Sequence, residues 1–119
     1  MRYGVLVRAA LEETRQRREA VRKKMVTEVF KALEELSARV RFNEAFLFGS
    51  LVRPYAFNDH SDIDLAFSHL SNDVFFFTIA FLSERLGRDV DVVQIEKASR
   101  IRTRILKEGI RWTKKNSVF

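Results

Sequence analysis

The chain has 119 residues, 46% of them hydrophobic, with 22 Lys/Arg against 16 Asp/Glu and no cysteine. That length suits one domain with a hydrophobic core and leaves no room for a second. The lack of cysteine excludes disulfides and thiolate metal sites, and with no apolar run near membrane-span length and no signal-peptide core, a soluble, cytoplasmic protein that avoids membranes is expected.

The charge is split along the chain. Residues 1–24 carry eight Lys/Arg against three Glu, residues 97–115 carry eight against Glu108 alone, and residues 25–96 carry six against twelve acids. Basic margins of this kind attract nucleotide phosphates, RNA or an acidic partner, or are simply solvated helix faces.

From Val5 to about Ser37 there is no Gly or Pro, and Val21, Met25, Val29, Leu33 and Leu36 recur at three- and four-residue intervals. One long amphipathic helix, or two in succession, is predicted. The Arg15–Lys24 portion has a poorer apolar stripe and is expected to project from the domain or pack on a partner. A strand is predicted over Glu44–Phe48, followed by a Gly49-Ser50 turn and a loop through Arg53-Pro54 and Asn58-Asp59-His60 long enough to be functional. A second strand spans Asp62–Phe67. Ser71 or Asn72 is expected to cap a helix running to about Leu86, closed by Gly87 in a left-handed conformation. Its Phe75-Phe76-Phe77 run cannot share one helical face, so the expected core cluster can leave a ring for another chain. Arg88–Ile95 reads as a third strand, Ser99–Glu108 as a last helix ended by Gly109, and Ile110–Thr113 as a short final strand.

The chemistry concentrates at the strand ends. A strand ending in Gly49-Ser50 can offer backbone N–H groups and a hydroxyl to phosphate oxygens, because glycine has no side chain to hold the ligand away. Asp62 and Asp64 are two apart, so in extended chain both carboxylates face one way while Ile63 and Leu65 face the core. Such an alternation arises by chance on polar strand faces; its combination with Gly49-Ser50 and a further acidic pair, Asp89 and Asp91, is more specific. Two facing carboxylates repel, and a hard divalent ion relieves the repulsion. Periodicity alone does not choose between Asp89 and Asp91, but Asp91 lies mid-strand between Val90 and Val92, which favours it as the third carboxylate. His60 reads as a loop surface residue. Ser61 either orients Asp62 or ends the loop, and Arg100, Arg102 and Arg104 cannot all face one way on a helix.

Leu47-Phe48-Gly49-Ser50, Ser61-Asp62-Ile63-Asp64-Leu65, Arg88-Asp89-Val90-Asp91-Val92-Val93 and Arg104-Ile105-Leu106-Lys107-Glu108-Gly109 resemble the signature of the minimal nucleotidyltransferases of the DNA polymerase beta-like superfamily. The resemblance covers about residues 25–113, and divides the chain into an Arg-rich helical extension, 1–24, and a nucleotidyltransferase domain, 25–119. It implies an α/β fold with a mixed sheet flanked by helices, Mg2+ (or Mn2+) held by the catalytic Asp62, Asp64 and Asp91, and ATP gripped at Gly49, Ser50, Arg53 and Ser61. Many members are antitoxins that silence a HEPN-domain ribonuclease by transferring AMP to a toxin tyrosine. This sequence departs from the family's Gly-Ser-Arg-Ala-Arg-Gly loop: Leu51 replaces the first arginine and Pro54 the second glycine, while Arg53 is kept. A proline cannot donate a backbone hydrogen bond, so the loop would grip phosphates differently.

Two other functions compete with the transferase. A contact-only antitoxin with an idle nucleotide site is favoured by Leu51 and Pro54. A nucleic-acid-associated protein is favoured by the basic ends, though the aromatic-basic interleaving of a single-strand binding surface is missing. Transfer to a small molecule is disfavoured by the little chain left to build a pocket.

Overall fold

The computed structural model describes residues 2–114; Lys115 of the basic C-terminal margin and the last residues of the 25–119 segment lie outside the described residues. Helix α1, Arg2–Ser37, is one uninterrupted helix of 36 residues. At about 1.5 Å per residue it spans about 54 Å, which accounts for a long axis of 59 Å against 29 and 28 Å for the other two. No helix among the described residues is long and apolar enough to cross a membrane.

Four strands follow: β1 (Glu44–Phe48), β2 (Ile63–Ser68), β3 (Val90–Gln94) and β4 (Ile110–Thr113), in the order β3-β2-β1-β4. β1 runs antiparallel to β2 and β4, while β2 and β3 are parallel, joined through helix α2 (Phe75–Leu86). Helix α3 is Arg102–Glu108. Alternation divides the sheet's two faces. Ala45, Leu47, Ile63, Leu65, Phe67, Val90 and Val92 pack with Val29, Leu33 and Leu36 of α1 and Leu82 of α2; Phe46, Ala66 and Val93 pack with Ile105 of α3. Burying a side chain such as Leu33 contributes roughly 1.5–3 kcal/mol, so the C-terminal half of α1 is held by the core.

The Arg-rich portion of α1 does not simply project. The Arg15 guanidinium lies 4.6 Å from the centre of the Tyr55 ring. Glu19 accepts the Tyr55 N–H at 2.8 Å and pairs with Arg22, which donates to the Leu51 carbonyl at 3.0 Å. One face of residues 15–22 therefore braces the loop after β1. Beyond it Val5, Leu6, Val7 and Leu11 are exposed.

Several boundaries differ from the sequence reading. β2 begins one residue after Asp62, and β3 is shorter at both ends, because Ile95 already opens a 3-10 turn, Ile95–Lys97. α3 starts at Arg102 instead of Ser99, where the Arg102 guanidinium donates to the Ile95 and Glu96 carbonyls at 3.0 and 2.6 Å. Ser71 makes no side-chain cap; a 3-10 turn, Asn72–Val74, leads into α2, and the Asn72 side chain instead accepts from Gln94 and Lys97. Gly87 does close α2 with φ +67°. Of the three phenylalanines, Phe76 is 79% exposed and Phe77 also faces outward, so the run is not a core cluster.

Candidate active site

Asp64 and Asp91 are register partners on the parallel strands β2 and β3, and both point to the α3 face of the sheet. The Asp64 carboxyl is raised to about 6, first by burial, then by the charges of Asp91 and Asp62 and by hydrogen bonding to Asp91. Asp62 stands exposed one residue before β2, near enough for its charge to act on Asp64. Asp89 precedes β3, its carbonyl accepting the Ile63 N–H at 3.0 Å, and it lines a cavity together with His60, Ser61 and Asp62.

The chain reverses out of β1 directly beside this pair. Phe48 is opposite Asp64 in the β1–β2 register, and Gly49 follows with φ +74°. A Cβ on Gly49 would fall on the Asp64 carboxylate, 3.2 Å from its Cγ, so glycine is required both for the turn and for the close approach. Gly49–Val52 form a 3-10 turn whose N-cap, Phe48, supplies no side-chain acceptor, which leaves the leading N–H groups for an anion. Ser50 is half-buried at the start of this turn.

The loop beyond is anchored from several sides. Leu51 and Phe57 are buried in the core. Arg88 donates to the carbonyls of Asn58 and Ser61 at 3.0 and 2.8 Å, with its guanidinium 4.4 Å from the Phe57 ring centre. The Ser61 hydroxyl accepts the Asn58 N–H at 2.9 Å, so it closes the loop on which Asp62 is carried. His60 is exposed, its N–H donating to the Asn58 side chain at 2.8 Å.

Arg53 lines a cavity of about 150 Å³ together with Gly49, Val52, Ile101, Arg104 and Glu108. Arg104 is thus a cationic neighbour of the turn that sequence reasoning passed over. The signal was there in the helical period, since Ile101 and Ile105 pack inward and carry Arg104 to the cavity rim. Arg100, Arg102 and Arg104 do face three ways: one toward the β3 edge, one onto backbone carbonyls and one toward Gly49. Arg88, which positions the loop, was also missed.

Among the described residues no three carboxylate or imidazole groups are drawn close enough to cage a cation unaided. The donor set nevertheless fits one: Asp64 and Asp91 are register partners on one face of the sheet, Asp62 adds a third negative charge, and a hard divalent ion among them would offset the repulsion that raises Asp64.

Comparison with known proteins agrees with this fold. The family model for polymerase beta nucleotidyltransferases matches residues 30–117. No curated protein matches the chain. Among solved structures, a toxin–antitoxin complex with AMP-PNP superimposes with a TM-score of 0.59 at 24% identity, covering 75% of this chain and 73% of that one. A mutant of the MntA–HpeT toxin–antitoxin gives 0.54 at 21%, covering 79% and 74%. A structure described as a minimal nucleotidyltransferase gives 0.53 at 27%, covering 77% and 92%. With the fold, the turn and the carboxylate pair in place and the family model spanning most of its length, the chain belongs to the polymerase beta nucleotidyltransferase family.

Proposed function

We propose that this protein is a Mg2+-dependent protein adenylyltransferase that acts in the cytoplasm as an antitoxin, moving AMP from ATP to a tyrosine of a HEPN ribonuclease. Residues 25–119 carry the transferase in this reading, and residues 1–24 form an extension that braces its loop. The observation that carries it is the pairing of Asp64 with Asp91 across β2 and β3, with Asp64 packed against the Gly49 turn. The partner is supported by the likeness to two toxin–antitoxin complexes, one of them holding AMP-PNP.

Asp62, Asp64 and Asp91 would hold Mg2+, which when bound neutralises triphosphate charge. The open N–H groups of the Gly49–Val52 turn and the Ser50 hydroxyl bind phosphate oxygens, and Arg53 and Arg104 add positive charge at the rim. Asp91 is the more exposed of the register pair, so it is the one able to take the proton from an acceptor hydroxyl. The new oxygen–phosphorus bond forms at the α-phosphorus as the bond to pyrophosphate breaks.

One observation favours contact-only neutralisation. Leu51 is fully buried, so the position that resembles a phosphate-binding arginine in the family contributes nothing to the site here. The two readings separate in an assay of the toxin's ribonuclease activity. Wild-type protein silences it only when ATP and Mg2+ are present, and Asp91→Asn does not silence it. Full silencing by both proteins without ATP establishes contact alone.

A further inference from the structure

The carboxylate pair stands one strand from an open sheet edge. β3 is outermost in the sheet and pairs only with β2 among the described residues. The bond from the Ile63 N–H to the Asp89 carbonyl fixes which residues face inward. In a parallel ladder alternate residues bond to the same neighbour, so Asp89 and Asp91 turn their backbone groups to β2, while Val90, Val92 and Gln94 turn theirs to the free edge.

Beside that edge lies a cavity of about 540 Å³ walled by Phe75, Val93, Gln94, Lys97, Arg100 and Ile101. Val93 is two residues beyond Asp91 and on the same face of the sheet, and Ile101 also lines the cavity at Gly49. The groove and the cavity at Gly49 therefore share Ile101 as a common wall. Its lining holds two cations and no carboxylate. Lys97 is held in place by the Asn72 side chain at 2.9 Å, and Arg100 is exposed with no ion-pair partner among the described residues. Phe75 meets Phe76 edge-on, with ring centres 5.4 Å apart, and the exposed Phe76 carries the apolar wall outward.

We infer that the free edge of β3 receives the acceptor: an extended, acidic segment of a partner polypeptide that adds to the sheet and presents a hydroxyl side chain beside Asp91. The inference rests on the nucleotidyl-transfer reading and names where and how its acceptor docks. An added strand bonds through its main chain to Val92 and Gln94, and every second side chain then falls on the face that carries Asp64 and Asp91. The neighbour of Asp91 in such a strand sits about 5 Å away between Cβ atoms, close enough for its hydroxyl to meet the carboxylate. Acidic flanking residues meet Lys97 and Arg100. A polypeptide fits better than RNA, because a strand edge offers alternating donors and acceptors that match a main chain, and two cations are few for tracking a phosphate backbone.

The test uses fluorescence anisotropy on the full chain with a short labelled peptide that has one central tyrosine between glutamates. Two controls accompany it: the same peptide with lysines for glutamates, and the same peptide methylated on alternate backbone nitrogens. The glutamate peptide binds, both controls bind at least about tenfold more weakly, and Arg100→Glu weakens the glutamate peptide by about the same factor. Binding that ignores both backbone methylation and Arg100→Glu overturns the proposal, as does Arg100-dependent binding of a short single-stranded RNA tighter than that of the peptide. Mg2+ and ATP titrated into the wild-type protein in parallel keep the two claims apart. Normal nucleotide binding without peptide discrimination defeats the edge alone; peptide discrimination without nucleotide binding supports the edge and defeats the transferase.

Discussion

Asp64 is held against its own preference. Burial and two neighbouring carboxylates raise it to about 6, a cost that a fold bears where a ligand removes it. Asp64→Asn should stabilise the metal-free protein by about 1 kcal/mol, seen as a higher melting temperature, while calorimetry shows that Mg2+-dependent ATP binding is lost. A variant no more stable than wild type that still binds ATP in a metal-dependent way would show that Asp64 is an ordinary surface acid. Gly49 is the complementary case. Gly49→Ala adds a Cβ against Asp64 and forces alanine to a φ near +74°, so a loss of roughly 2–4 kcal/mol is expected in urea unfolding. These two residues were legible in the sequence because a period of two and a glycine at a strand end have fixed geometric meaning. Arg88 and Arg104 were not, since their importance comes from loop carbonyls and a cavity that only the folded chain brings to them.

At the scale of elements, the brace between α1 and the loop after β1 is the feature that periodicity concealed. Arg15, Glu19 and Arg22 read as a weakly amphipathic charged stretch, yet they bind Tyr55 and Leu51 through a ring face, an N–H and a carbonyl. An apolar stripe cannot report contacts made by charged groups. Glu19 is lowered to about 2 by its bond to Arg22 and then by the Tyr55 N–H. A carboxylate with a folded value below its unfolded value of about 4.5 contributes its stability above that pH and loses it as pH falls toward about 2. The difference in melting temperature between wild type and Glu19→Gln should therefore be largest above about pH 5 and vanish near pH 2; a constant difference would mean that the charge plays no part. Truncation checks the same brace. Removing residues 1–12 should leave ATP affinity intact, while removing residues 1–24 frees the loop and lowers that affinity with the sheet still folded by circular dichroism. Other boundaries were hidden for similar reasons: Ser99–Ile101 form a turn and Arg102 opens α3, because the guanidinium is engaged with carbonyls at the end of the preceding turn.

For the molecule as a whole, strand number and helix placement followed from alternation and from the four glycines and single proline. Strand order did not. Nothing in the local pattern tells that β1 lies between β2 and β4 or that β2 and β3 run parallel, yet that order puts Asp64 and Asp91 side by side and leaves β3 at the margin. The resulting object is a nucleotidyltransferase domain with its carboxylates one strand from an open edge. The most direct test is the intact mass of a HEPN-type partner after incubation with this protein, ATP and Mg2+. The partner should gain the mass of AMP on a tyrosine with wild-type protein and gain nothing with Asp91→Asn. An unmodified partner that is nonetheless fully silenced would contradict the account.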